Sequence, residues 1–63
     1  MCESSAYLQD KDGQEELLLE DVVMLKPKNG HIVLMNILGE KKEIDAGIDH
    51  IDLLRHKILL RRP

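Results

Sequence analysis

The only cysteine of this 63-residue chain is its second residue, so Met1-Cys2-Glu3 places a thiol beside an α-amino group and a backbone amide nitrogen. A thiolate, an amine with a pKa of about 7.7–8.0 and an amide nitrogen are soft or borderline donors that can meet one metal ion from the same few atoms. Free cysteines also serve as small buried apolar residues, so simple burial is the competing reading of Cys2. One thiol per chain cannot complete the four Cys or His ligands of a structural zinc site unaided. A two-fold axis between two copies would bring two thiolates together. With two nitrogens in a plane such a pair suits Ni(II) or Cu(II), and a tetrahedral version suits zinc. The amino-terminal motif with histidine third is absent, because position three is Glu3.

His31, His50 and His56 are the other nitrogen candidates. His31 adjoins a turn, and His50 lies between two isoleucines flanked by aspartates. His56 stands between Arg55 and Lys57, whose charge disfavours a cation nearby. Each reads more readily as a surface or capping residue than as a ligand. Met24 and Met35 read as packing residues, and Asn36 as a hydrogen-bonded edge or interface residue. There is no Gly-rich phosphate loop, no His-Glu-x-x-His, no Cys-x-x-Cys and no nucleophile beside a base, so the chain is not read as an enzyme.

At this length residues 1–63 form one domain, which buries only roughly 60% of the surface its unfolded chain exposes. Small domains compensate with disulfides, a metal or oligomerisation, and a single cysteine excludes an internal disulfide. A dimer, a metal or both are therefore expected. Nine Lys and Arg against twelve Asp and Glu leave a net charge of −3 with the signs interspersed, which is not the footprint of a duplex binder. No apolar run approaches the roughly 20 residues that span a bilayer, and the start lacks the basic and apolar regions of a signal peptide. A reducing cytoplasm is the expected compartment. RNA binding is the rival from another class, but Tyr7 is the only aromatic residue available for stacking. Arg55, Lys57, Arg61 and Arg62 read as a solvated strand end rather than a phosphate site.

The elements that must carry these residues read as short strands. Ala6–Gln9 is a strand that stops at Asp10-Lys11-Asp12-Gly13, and Glu15–Glu20 pairs back on it. Val22–Lys26 follows, closed by Pro27, and Lys28-Asn29-Gly30 predicts a type I′ hairpin into His31–Leu38. In that last run Ile32, Leu34 and Leu38 share one face while Val33, Met35 and Ile37 share the other. Both faces want burial, and a partner subunit is the expected cover for the second, against the alternative of a few exposed apolar residues. Glu43–Ala46 alternates like a half-exposed strand, and Gly47 marks a bulge or corner. Ile48–Leu60 reads as a hairpin joined near Leu54–Lys57, with a helix capped by Asp49 as the alternative. The expected fold is all-β: a small SH3-like or Sm-like antiparallel barrel of six or seven short strands, dimeric.

Taken together, the sequence resembles the CooT-type small nickel-binding proteins, whose founding member assists nickel delivery to carbon monoxide dehydrogenase. The likeness spans nearly the whole chain. It rests on Met1-Cys2-Glu3, Tyr7-Leu8, Glu16 to Val22, Gly39-Glu40 after the long apolar strand, and His56-Lys57-Ile58-Leu59-Leu60. The resemblance implies a homodimer of small β-barrels with one Ni(II) at the interface, held by Cys2 of both subunits. The Met1 amine and the Cys2 backbone nitrogen are plausible further ligands. It carries no histidine over, and it implies as partner a nickel enzyme such as carbon monoxide dehydrogenase.

Overall fold

The computed structural model describes residues 3–63. Within them the chain forms six strands: β1 (Ser4–Gln9), β2 (Glu15–Lys28), β3 (His31–Asn36), β4 (Lys41–Ile44), β5 (Gly47–Asp52) and β6 (Lys57–Arg61). They make one sheet in the order β4-β3-β2-β1-β6-β5. The Asn29-Gly30 turn is as expected. Both residues have positive φ, 45° and 86°, and Lys28 pairs directly with His31 across the two-residue loop. Pro27 does not end the strand. It lies opposite Ile32, next to the closing pair, and beyond Val22, where β1 stops pairing with β2. No ladder bond is asked of its missing donor there.

The two strands expected on either side of Asp21 are one long strand. Asp21 has φ 56°, and the register slips beside it against both β1 and β3. These irregularities bend β2, so its first half pairs with β1 and its second half with β3. The expected strand through Leu38 ends two residues sooner, at Asn36, and Ile37–Gly39 turn instead. Of the bulge or corner expected at Gly47, the corner lies just before it at Asp45-Ala46, and a register slip falls between the Ile48 and His50 pairings with β6. The carboxyl-terminal hairpin forms as β5 and β6, not as a helix.

Two features of the expected barrel are corrected. The edge strands β4 and β5 are not paired, so the sheet does not close, and β6 runs parallel to β1. Both follow from one link. Five reversing connections would set β1 and β6 antiparallel, but the Asp45-Ala46 link between β4 and β5 turns a corner without making a hairpin.

Burial shows how an open sheet makes a core. Leu34 on β3 and Leu60 on β6 are fully buried in one cluster with Ala6, Leu8, Val22 and Ile32. β3 and β6 are separated by β2 and β1, about 14 Å in a flat sheet, and among the described residues there is no second layer to cover them. The sheet must therefore curl so that its two halves face each other. On β3 the inward set is Ile32, Leu34 and Asn36, while Val33 and Met35 on the other face are half-buried. Leu59, outward between Tyr7 and His50, is also buried. Truncating Leu34 to Ala is expected to lower stability by about 2–5 kcal/mol, measured by urea unfolding, because a core this thin cannot collapse around the void.

Candidate functional site

Strand β1 enters the sheet at one end, and three irregular segments meet it there. Ser4 lies opposite Val22, immediately after the Asp21 bend. Ser5 N donates to the His56 carbonyl (3.0 Å) in the β5–β6 turn. Ile37 N donates to the Asp21 carbonyl (2.9 Å), which fastens the β3–β4 turn to the same bend. The start of β1 is thus framed by the bend and by two turns.

Side chains brace both turns. Asn36, 6% exposed, accepts from Leu38 N (3.1 Å) and Glu40 N (2.9 Å) through Oδ1 and donates from Nδ2 to Glu40 Oε1 (2.5 Å). These bonds stop β3 at Asn36 by giving the next backbone groups a local partner. In the other turn Asp52 Oδ1 accepts from Arg55 N (3.1 Å), and His56 takes a left-handed φ of 55°. The braced turns and the bend expose apolar side chains. Of the large apolar residues exposed among the described ones, Val23, Ile37, Leu38, Leu53 and Leu54 lie in these segments, with Leu54 at 89% and Leu38 at 80%.

Cys2 and Met1, the predicted metal ligands, lie outside the described residues. Glu3 beside them is exposed. The histidines are widely separated. His31 is at the β2–β3 hairpin, with Nε2 2.6 Å from Glu43 Oε2, a contact not aligned as a hydrogen bond. His50 Nδ1 lies 2.7 Å from Asp49 Oδ2, and the same carboxylate holds Arg61 at 2.9 Å. His56 alone adjoins the start of β1. Among the described residues no three His, Cys, Asp or Glu side chains gather as a metal site.

The cationic patch considered for phosphate contact is largely neutralised. Arg55 faces Asp52 at 3.8 Å, Lys57 pairs with Glu15, and Arg61 with Asp49. Lys57 Nζ also sits 5.2 Å from the centroid of the Tyr7 ring, which occupies the chain's one stacking surface. An open groove of about 420 Å³ lies at the opposite end of the sheet, between Gly30 and β5, and its charged lining residues Asp49 and Arg61 are paired with each other. No helix of the described chain is long and apolar enough to cross a membrane.

The family model for the CO dehydrogenase accessory protein CooT matches residues 1–61. The chain belongs to the CooT family. A crystal structure of a protein assigned as CooT from Carboxydothermus hydrogenoformans superimposes with a TM-score of 0.89 at 44% identity, covering 98% of each chain. An uncharacterised protein of Methanocaldococcus jannaschii is 32% identical over 60 residues, 95% of this chain and 96% of that one. An uncharacterised protein of Methanothermobacter thermautotrophicus is 35% identical over 60 residues, 95% of this chain and 88% of its own length.

Sequence reasoning treated Asn36 as hydrogen-bonded but missed that it builds a turn beside the amino-terminal segment. The available signal was Gly39-Glu40 following Asn36 at turn spacing. Replacing Asn36 by Ala removes one acceptor serving two backbone donors and strands Glu40. It is expected to cost about 1–3 kcal/mol, checked by the urea midpoint, with β3 retained by circular dichroism.

Proposed function

We propose that this CooT-family protein is a nickel-binding accessory protein that holds one Ni(II) between two copies, through Cys2 of each chain, and passes it to a nickel enzyme such as carbon monoxide dehydrogenase. The metal is cargo. The protein's role is to bind and present it, with no catalytic step of its own, in a reducing cytoplasm that keeps the thiols free. Two thiolates leave positions for nitrogen donors, of which the Met1 amine is the nearest in sequence.

The observation that carries this reading is the exposed apolar ring around the start of β1. Val23, Ile37, Leu38, Leu53 and Leu54 are exposed on the bend and the two turns that meet the start of β1. Large apolar side chains exposed at one end of a sheet suit an interface. Isologous packing of that end would bring the two Cys2 residues toward one axis, which supports a shared site. The half-buried outer face of β3, first considered for this role, exposes less apolar surface than these turns do.

Titrating Ni(II) chloride into the reduced protein is expected to saturate near one metal per two chains with thiolate-to-nickel absorption. Cys2→Ser should abolish both, and unchanged binding in that variant would sink the nickel reading. For the interface, Leu38→Glu combined with Leu54→Glu is expected to give a monomer by light scattering at micromolar concentration. Leu17→Glu, exposed at the other end of the β1–β2 pair, should leave the dimer intact. A monomeric parent, or a dimer indifferent to the double substitution, counts against this surface.

A further inference from the structure

We propose that the outer edge of β5 docks an extended segment of a partner protein, which joins the sheet as a further strand through main-chain pairing and alternating apolar side chains. Docking there needs no metal and stands apart from the nickel reading.

β5 is the last strand of the sheet, so its outer edge is unpaired among the described residues. Such an edge presents a row of free N–H and C=O groups, and proteins usually guard it. β4, at the opposite edge, is guarded. It is four residues long, begins with Lys41-Lys42, and Lys42 Nζ donates to the Leu18 carbonyl (2.9 Å). β5 has six residues, no lysine and no proline, and is exposed from Gly47 through Ile51. Its guard is the register slip between Ile48 and His50, which divides the edge into short runs and suits a reversible contact. Ile48 and Ile51 lie opposite Leu60 and Ile58, both in the core cluster, and residues directly opposite in an antiparallel pair share a face. Both isoleucines thus belong to the core side, yet they are 42% and 47% exposed at the edge. A strand laid on that edge covers both side chains and satisfies the free backbone in the same contact.

A groove lies where this strand would begin. The opening of about 420 Å³ beside Arg61 adjoins one of about 330 Å³ bounded by the β2–β3 hairpin, and both are lined by Gly30, Ala46, Gly47 and Ile48. Gly47 has no left-handed φ, and a Cβ there would meet nothing within 4 Å beyond its chain neighbours. Neither the backbone nor the packing of this chain requires glycine at that position. Glycine in a strand also marks the close approach of another backbone, which is the role left for it. Charge narrows the occupant. In the groove Asp49 is paired with Arg61 and His31 with Glu43, whereas the exposed Lys28 has no ion pair among the described residues. The segment that fits is apolar at alternate positions and carries a carboxylate for Lys28.

The test uses the reduced, metal-free full chain, isotope-labelled for NMR, and a synthetic peptide of alternating valine and threonine flanked by aspartates. Saturable amide shifts are expected from Gly47 to Ile51 and at Asn29-Gly30. Ile48→Lys, which sets a charge on the inner side of the edge, should weaken binding about tenfold or more. Gly47→Val, which fills the groove without adding charge, should weaken it as well, and urea unfolding of each variant shows that the fold is kept. Methylating every second amide nitrogen of the peptide on its pairing edge should abolish binding, a result that an apolar contact alone would not give. Exchanging the flanking aspartates for lysines should weaken it about two- to fivefold. The proposal is overturned by absence of saturable shifts in β5, by equal binding of the methylated peptide, or by shifts confined to the Leu38 and Leu54 turns. Shifts in β5 that grow with protein concentration in the absence of peptide would assign the edge to a second copy and overturn it too.

Discussion

A core drawn from one sheet, with nothing to pack against but itself, is the constraint on which the rest of this structure depends. The described residues form one sheet and no second layer, so complete burial of Leu34 and Leu60 demands that the sheet curl. The curl is made in β2. Its left-handed residue at Asp21 and the register slips on either side let one strand serve both halves of the fold. A straight β2 would carry β3 away from β6 and leave both leucines in water.

The same bend connects stability to the candidate site. The Asp21 carbonyl receives Ile37 N, so the irregularity that curls the sheet also anchors the β3–β4 turn. The Asn36 bonds and the Asp52 brace then hold the two turns that display Leu38 and Leu54. A loop ordered before it meets a partner loses less entropy on association. Exposed leucines on braced turns are therefore suited to an interface in a way that leucines on loose loops are not.

Surface electrostatics follow the same economy. Nearly every cation of the carboxyl-terminal hairpin has a carboxylate within reach, leaving a surface of short local pairs rather than one long-range field. Exposed pairs of this kind contribute little to stability. Their consequence is local: the Lys57 ammonium is held between Glu15 and the face of Tyr7.

Much of the fold was legible in the residues themselves. Asn29-Gly30 specifies its turn because both positions must tolerate positive φ, and the apolar run after it can only be a buried strand. The carboxyl-terminal hairpin and the all-β class follow from the same punctuation, and the Met1-Cys2-Glu3 start with its accompanying motifs carried the family. Local pattern did not reveal what depends on contacts between distant segments. The open sheet and the parallel β1–β6 pairing depend on whether Asp45-Ala46 reverses the chain, and the end of β3 depends on Asn36 finding the backbone beyond it. His56 illustrates the difference most plainly. In the sequence it is a histidine between two cations, and only the parallel ladder places it beside the strand that begins after Cys2, because adjacency across a sheet is set by register and not by spacing along the chain.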